Sequence, residues 1–253
     1  MNRNEDVWEY YGEKDPYFGV RSIGEMRSDA IDDDARTDFF GSGESYVSRV
    51  WHEIRENFEP DFSPANSLDF GCGVGRVALP IARRSGNVVG VDISDGMLEE
   101  AQRNAESFGI GNIEFVKADD TLSSVSGPFD FIHSFVVFQH IRPDLGMAMA
   151  TRLIGLLSEN GIGALHFQYA NSKATPQERL RYRLYRDAPG VYALRNLILG
   201  KKKEPLMPMY SYDLNELMLL LQKNGCHKCQ IRFSDHGVEG ALIIFQKKTE
   251  PLY

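Results

Sequence analysis

The sequence predicts an α/β fold in which helices cover both faces of a mostly parallel, doubly wound sheet. Two observations lead to this prediction. Short apolar runs alternate with amphipathic helical stretches between residues 67 and 169, and strands that are apolar on both faces are typical of a parallel sheet. After Gly225 two strand-forming segments follow with no helix between them. We expect this hairpin to place an antiparallel strand at the sheet edge.

The individual elements follow from the periodicity of the apolar residues. Apolar residues from Val47 to Phe58 recur at helical spacing, and Pro60 and Pro64 end that helix. The later helices are predicted to start near Gly75, Ser94, Asp144 and Asp213, with a further helix between residues 121 and 128. The predicted strands are 67–70, 88–91, 113–116, 129–135, 162–169, 229–233 and 241–246.

These elements divide the chain into four predicted parts. Residues 1–63 form a helical amino-terminal segment, which we call the lid, and residues 64–170 form the alternating core. Residues 171–209 form a basic helical segment, which we call the cap, and residues 210–253 complete the core sheet with a helix and a hairpin.

Composition limits the classes of function. The chain has 253 residues, 3 cysteines and a net charge of −8, which argue against a disulfide framework and against a nucleic-acid partner. The amino terminus has no apolar signal region, and the longest apolar runs fall far short of the ~20 residues of a membrane-spanning helix. We expect a soluble, cytoplasmic protein.

The strongest motif is the segment from Leu68 to Arg76, in which a strand leads through Gly71, Gly73 and Gly75 into a helix. Glycines let the chain turn tightly and let a ligand lie against main-chain N–H groups. A dinucleotide fingerprint of the form G-x-G-x-x-G would require a glycine where Arg76 stands.

Asp92 ends the second strand about twenty residues after the first glycine. A carboxylate at this place in nucleotide-binding α/β folds accepts the two ribose hydroxyls.

The sequence resembles class I S-adenosylmethionine-dependent methyltransferases. Four segments carry the resemblance in the family's order, and the terminal hairpin matches as well. They are the glycine motif 68–76, the second strand and helix start 92–98, the third-strand end 118–120, and the fourth strand with its exit 129–141. The resemblance implies a Rossmann-like fold with S-adenosylmethionine as the cofactor and S-adenosylhomocysteine as its product.

The resemblance assigns the methionine part of the cofactor to the glycine motif. Gly71, Cys72, Gly73 and Gly75 would line it, and Asp69 would orient its ammonium group. Cys72 is interpreted as a small residue that fits the turn rather than a nucleophile.

The resemblance assigns the nucleoside part to the next strands. Asp92 would hold the ribose, and Ile93 and Met97 would flank the adenine. Asp119 would accept a hydrogen bond from the adenine amino group, and the backbone N–H of Asp120 would donate one to the ring.

The remaining cofactor contacts come from the fourth-strand exit and from arginines. Ser134 or Phe135 would offer a main-chain carbonyl to the ammonium group. The partner of the cofactor's carboxylate is open among Arg36, Arg49 and Arg76.

Transfer to a hydroxyl benefits from a base, and His140 is the leading candidate because it follows the fourth strand at the carboxyl edge of the sheet. His133 lies inside the strand, where we expect it to bond within the core. A structural role for His140 is the alternative. Other candidate bases or acceptor contacts are His166, Gln168, and Asp235 with His236.

Basic charge is concentrated in residues 173–203, which carry nine basic and two acidic side chains. Arg179, Arg183 and Arg186 share one face of a predicted cap helix and could clamp an anionic group of the substrate, or simply face solvent. Residues 191–203 form a basic amphipathic stretch for which weak contact with a membrane surface is the functional interpretation and packing on the domain is the alternative.

Two weaker patterns complete the interpretation. Residues 15–20, which include Tyr17 and Phe18, are interpreted as a lid that contacts the substrate or as a packed surface loop. Cys226 and Cys229 form a lone C-x-x-C without a second pair, so we predict no metal.

The sequence therefore predicts a methyltransferase that acts on oxygen or nitrogen of a small-molecule acceptor, which is anionic or glycan-like. The exit of the fourth strand lacks the tetrad with which amino-methylating DNA enzymes hold a flipped base, so nucleobase methylation is disfavoured. The alternatives are an NAD(P)-dependent oxidoreductase and a non-catalytic protein that binds the cofactor.

Overall fold

The computed structural model describes residues 3–119, 121–200 and 203–248. In this part of the chain, helices and strands alternate through the middle of the sequence, and a hairpin follows the last helix. The helices are α1 (Arg3–Lys14), α2 (Pro16–Val20), α3 (Asp33–Asn57), α4 (Ala78–Ala82), α5 (Asp95–Ser107), α6 (Pro143–Leu156), α7 (Pro176–Asp187), α8 (Pro189–Ile198) and α9 (Leu214–Lys223). The strands are β1 (Asn66–Phe70), β2 (Asn87–Asp92), β3 (Ile113–Lys117), β4 (Phe129–Ser134), β5 (Leu157–Ala170), β6 (Lys228–Asp235) and β7 (Glu239–Gln246).

The strands form one sheet in the order β3-β2-β1-β4-β5-β7-β6. The first five strands are parallel, while β7 runs antiparallel to both β5 and β6. The predicted doubly wound sheet with an antiparallel terminal hairpin is confirmed. The order reverses at β1 and β4, and ligands of open α/β sheets bind beyond the strand ends at such a switch point.

In the central strands, alternate residues pack against helices on opposite faces of the sheet. Ile132 belongs to a cluster with α6 and α9, whereas its neighbour Phe131 packs with α3 and α4. The period-two alternation of a strand thus buries apolar side chains on both faces, as the continuous apolar runs predicted.

The helix predicted between residues 121 and 128 is wrong. The described residues of this segment form turns, and Leu122 has a positive φ of 53°. The carboxylate of Asp119 accepts from the backbone N–H groups of Thr121 and Ser123. These local bonds give the backbone an alternative to helical pairing, and Pro128 follows closely.

The amino-terminal helices lie against the carboxyl edge of the sheet. Glu9 of α1 accepts hydrogen bonds from the backbone N–H groups of Asp95 and Gly96, the first residues of α5. A carboxylate at a helix amino terminus also interacts favourably with the helix dipole. This contact fixes α1 beside the tip of β2.

The segment 204–212, which we call the strap, connects the cap helices to α9. Its carbonyls accept from Tyr11 of α1 and Tyr182 of α7, at Pro205 (2.9 Å) and Met207 (3.0 Å). Among the residues described, no helix is both long and apolar enough to cross a lipid bilayer.

Candidate active site

A crevice lies beyond the carboxyl ends of β1, β2 and β4. Main-chain turns, two carboxylates and apolar side chains line most of it, which suits a ligand with polar groups and a flat apolar part. The lining residues are Asn4, Trp8, Gly19, Val20, Phe70, Gly71, Gly73, Arg76, Asp92, Ile93, Met97, Ala118, Asp119, Phe135, Val136, Val137, His140, Ile141, Leu145 and Met149.

The floor of the crevice is bare backbone at the glycine turn. Gly71 and Gly73 have φ angles of +73° and +51°, which side-chain-bearing residues rarely adopt. A Cβ atom on Gly71 would lie 2.3 Å from a Val137 methyl carbon, and one on Gly73 would lie 2.7 Å from a Val20 methyl carbon. Side chains at these positions would therefore close the space that a ligand needs.

Asp92 lies at the tip of β2 with its carboxylate beside the glycine turn. Its oxygens accept from the backbone N–H groups of Gly73 (2.9 Å) and Ser94 (3.1 Å). Burial raises the pKa of Asp92 to about 6, because the two N–H donors only partly offset the loss of water around the charge. A donor that reaches the carboxylate from the crevice would stabilise the ionised form.

Apolar and acidic residues line the next part of the crevice. Ile93 follows Asp92, and the buried Met97 closes the wall beneath Gly19. Asp119 lies exposed at the rim, where four hydrogen bonds from Thr121 and Ser123 lower the pKa of its carboxyl group. The predicted contact at Asp120 lies outside the described residues.

Asp69 is buried behind the glycine turn and bonded within the core. Its Oδ1 accepts from Nδ1 of His133 (2.7 Å), and Nε2 of His133 lies 3.0 Å from the Tyr46 hydroxyl. A carboxylate can only accept, so Nδ1 carries the proton and, in the neutral ring, the Tyr46 hydroxyl donates to Nε2. His133 therefore bonds within the core, as predicted. Asp69, which was predicted to orient the ammonium group, is not among the residues that line the crevice.

The three arginines that could meet a carboxylate are placed differently. Arg36 donates to Asn104 of α5, Arg49 is exposed, and Arg76 lines the crevice. Nε of Arg76 is buried and has no hydrogen-bond partner among the described residues. Burial lowers the pKa of its guanidinium group. An unpaired buried N–H of a cation is costly, so a ligand carboxylate at this point would relieve that cost.

The exit of β4 forms the opposite wall. The buried Ser134 hydroxyl has no partner in the described part of the chain, and Phe135 lines the crevice beside it. Val136 has a φ of +65°, a region that β-branched residues avoid. Strain of this kind costs about 1–3 kcal/mol and is common at ligand sites.

The amino-terminal lid closes the crevice through α1 and the end of α2. Asn4, Trp8, Gly19 and Val20 line it. Tyr17 instead points into the protein, where its hydroxyl donates to Glu100 (2.6 Å). Phe18 stacks under the Arg27 guanidinium, 3.4 Å from ring centroid to Cζ. The structure thus places the two aromatic residues predicted to contact substrate in the anchoring of the lid. Asn4 and Trp8 were not predicted, although the aromatic spacing in residues 7–11 was a signal for a buried helix face.

His140 lines both the crevice and a second cavity, which has a volume of about 750 Å³. Nδ1 of His140 lies 2.7 Å from the Pro208 carbonyl of the strap, so Nδ1 carries the proton and Nε2 is an acceptor. The Gln139 amide donates to Nε2 at 3.1 Å. Burial lowers the pKa of His140 to about 4, which keeps the ring neutral at physiological pH.

The second cavity has a polar wall formed by the end of α7, the start of α6 and the strap. Arg186 lines it and lies 4.8 Å from the Tyr210 ring centroid. Arg142 lines it as well and pairs with Asp144. Arg179 and Arg183, the predicted clamp residues, are exposed on α7 and do not belong to this lining.

A cluster of aromatic and histidine rings lies beyond Phe135 on the other side of the β4 exit. Phe135 contacts His166 and His236, with ring centroids 5.0 Å and 5.3 Å apart. His166 Nε2 lies 2.7 Å from the Ser234 hydroxyl, and burial lowers the pKa of His166 to about 3. Gln168, a predicted substrate contact, is buried and donates to Ser211 (3.1 Å).

Comparisons with known proteins agree with this geometry. Residues 68–161 match the family model described as "Methyltransferase domain". Over 62 residues the chain is 45% identical to a 23S rRNA (uracil(1939)-C(5))-methyltransferase of Xylella fastidiosa (strain Temecula1). That match spans 24% of this chain and 14% of the relative, so the chain covers only a small part of that enzyme.

Longer matches cover most of the chain. A carboxy-S-adenosyl-L-methionine synthase of Nitratiruptor sp. is 28% identical over 161 residues, which is 62% of this chain and 66% of that protein. The solved structure of the magnesium protoporphyrin IX methyltransferase of Synechocystis PCC 6803 with bound S-adenosylhomocysteine (SAH) superposes with a TM-score of 0.63. That superposition covers 97% of this chain and 100% of the other at 18% identity, so it shows the shared fold.

Proposed function

We propose that the chain, whose residues 68–161 match a methyltransferase domain, is a class I S-adenosylmethionine-dependent methyltransferase that transfers a methyl group to oxygen or nitrogen of a small-molecule acceptor. The observation that carries the proposal is the crevice at the carboxyl edge of the sheet. Its floor is side-chain-free backbone at Gly71 and Gly73, and the carboxylate of Asp92 stands at the tip of the adjacent strand.

The residues present fit S-adenosylmethionine (SAM), the cofactor of the family. The glycine turn leaves room for the amino-acid part of the cofactor, and the unpartnered Nε of Arg76 would pair with its carboxylate. Asp92 would accept from the ribose hydroxyls, while Ile93 and Met97 would contact the adenine.

When bound, SAM supplies a methyl group that the positive charge on its sulfur already activates. The protein's own task is to hold the acceptor atom in line with that methyl group at about 3 Å. His140 is placed for this task, because it lies between the two cavities and presents a neutral Nε2. Once the Gln139 amide turns away, Nε2 would accept a hydrogen bond from the acceptor's O–H or N–H group.

The second cavity supports a polar acceptor that is anionic or glycan-like. Arg186 and Arg142 carry planar guanidinium groups of the kind that bind carboxylate or phosphate oxygens, and they pair with Asp187 and Asp144 in the ligand-free protein. An anionic acceptor would take the place of these carboxylates. The cavity volume of about 750 Å³ suits an acceptor larger than a simple amine. The net charge of −8 supports a small-molecule rather than a nucleic-acid partner.

The experiment has two arms. Calorimetry should show binding of SAM and SAH but not of NAD(H), and release of SAH should then be measured against a panel of phenols, hydroxy acids, sugar phosphates and amines. Turnover with at least one polar acceptor supports the proposal. NAD(H) binding without SAM binding would overturn the cofactor assignment. SAM binding without SAH release from any acceptor would leave a binding protein rather than an enzyme.

A further inference from the structure

The cap carries an unusual concentration of exposed apolar side chains. Ten large apolar residues are exposed among the described residues, and seven of them fall between positions 180 and 199. Their exposed fractions run from 42% to 74%. They are Leu180, Leu184, Val191, Leu194, Leu197, Ile198 and Leu199. Scattered exposed leucines are ordinary, whereas seven exposed apolar residues on and beside two consecutive helices indicate an interaction surface.

The two cap helices sort their residues into an inner and an outer face. Tyr182, Tyr185 and Tyr192 lie inward, where the Tyr185 and Tyr192 rings contact each other at 5.6 Å. The Tyr182 hydroxyl donates to the strap. The hairpin of α7 and α8 is therefore fixed to the domain by its inner face, and the outer apolar face is left to solvent.

Basic side chains are interspersed with the exposed apolar residues of α7. Arg179, Arg181 and Arg183 are exposed on α7, next to Leu180 and Leu184. Residues 173–203 carry a net charge of +7, so the remainder of the chain carries −15. An apolar stripe flanked by arginines on an otherwise acidic protein is typical of a helix that lies in the interface of an anionic membrane.

A second copy of the chain fits this surface less well. Pairing two outer faces would bring two segments of charge +7 together, which is repulsive. A head-to-tail contact would need an apolar patch elsewhere, but the three remaining exposed large apolar residues of the described chain stand on separate elements. These are Phe108 after α5, Leu219 on α9 and Phe233 on β6.

We propose that the outer face of the α7–α8 hairpin docks on the surface of an anionic lipid bilayer. The apolar side chains would enter the boundary between headgroups and acyl chains, and the arginines would contact the anionic headgroups. This docking does not depend on the proposed methyl transfer. Because Arg186 of α7 lines the second cavity from the inner face, docking would bring that cavity close to the membrane.

The test is cosedimentation of the full chain with vesicles. One set is pure phosphatidylcholine, and the other contains equal parts of phosphatidylcholine and phosphatidylglycerol. Each exposed arginine near an anionic surface strengthens binding about fivefold, so three of them predict about a hundredfold preference for the anionic vesicles at low salt. The preference should shrink as salt is raised. Equal binding to both sets, or no binding to either, would overturn the proposal.

Variants separate docking from other effects. The double variant Leu197→Glu, Ile198→Glu should lose at least about tenfold in binding, because two apolar side chains no longer enter the lipid. Leu219→Glu changes an exposed leucine on α9, outside the α7–α8 hairpin, and this variant should bind the vesicles like the unchanged protein. Circular dichroism confirms that each variant is folded. Vesicle binding that survives in the double variant would overturn the proposal. So would light scattering that shows a dimer which the double variant dissociates, because a second copy would then occupy the face.

Discussion

We predict that the ionised Asp92 carboxylate destabilises the ligand-free protein but strengthens cofactor binding. Its carboxylate faces the crevice and accepts two backbone N–H bonds, yet burial raises its pKa from 3.8 to about 6. Replacing it by asparagine removes the charge and keeps the shape. Asp92→Asn should weaken SAM binding about 10- to 100-fold, because the amide offers only one of the two acceptor oxygens that the ribose needs.

The magnitude of the stability effect follows from linkage. A carboxyl group with a raised folded-state pKa binds its proton more tightly in the folded than in the unfolded state, so folding stability falls as pH rises from about 4 to about 6. At about 1.4 kcal/mol for each pH unit, ionised Asp92 costs the fold at most about 3 kcal/mol above pH 6. Asp92→Asn abolishes this dependence.

The pH dependence is therefore the decisive measurement. Urea unfolding of the ligand-free protein should be measured at about pH 4 and at about pH 7. From the lower to the higher pH, the free energy of unfolding of the unchanged chain should fall by about 2 kcal/mol more than that of Asp92→Asn. Asp95→Asn, an exposed carboxylate at the start of α5, is the control and should keep the dependence of the unchanged chain. If Asp92→Asn and the unchanged chain lose the same stability between these pH values, Asp92 does not bear a buried charge.

Three further predictions concern the crevice. His140→Ala should lower turnover at least about tenfold while leaving SAM affinity within about twofold, measured by steady-state kinetics and calorimetry; an unchanged rate would assign His140 to packing. Arg76→Gln should weaken SAM about 10- to 100-fold but leave 5′-methylthioadenosine, which lacks the carboxylate, unchanged, and equal losses for both ligands would exclude the carboxylate pairing. Gly71→Ala should abolish SAM binding and lower the free energy of unfolding by about 1–3 kcal/mol. The alanine Cβ would lie 2.3 Å from a Val137 methyl carbon, and the backbone at this position is left-handed. Gly24→Ala is the control, because a Cβ atom there would have open space around it.

The strands and the nucleotide-binding edge could be predicted because they depend on local patterns. Each strand is a short apolar run, and its carboxyl end carries the motif that forms the crevice. The failed helix after β3 shows the limit of this approach. The composition of this segment permits a helix. However, the Asp119 carboxylate accepts from the backbone N–H groups of Thr121 and Ser123, and Leu122 has a positive φ. Neither feature is visible in the periodicity of the apolar residues.

Contacts between distant segments could not be predicted at all. The bond between Asp69 and His133 exists because β1 and β4 are neighbours in the sheet with these residues in register. Chain order gives no sign of it. The sequence could not identify the arginine that lines the crevice for the same reason. The path of α3 places Arg36 and Arg49 away from the crevice, whereas Arg76 lines it.

The strap connects the lid, the cap and His140, which are far apart in the sequence. Arg27 of the lid segment makes two hydrogen bonds of 2.8 Å with Glu204, and the Tyr182 hydroxyl of the cap donates to Met207. In the same segment, the Pro208 carbonyl accepts a hydrogen bond from Nδ1 of His140. This bond fixes which nitrogen of that ring faces the cavities. A movement of the lid or the cap would therefore shift the carbonyl that sets the His140 tautomer. Acceptor binding under the cap and cofactor binding under the lid would thus act on the same histidine through one segment of main chain.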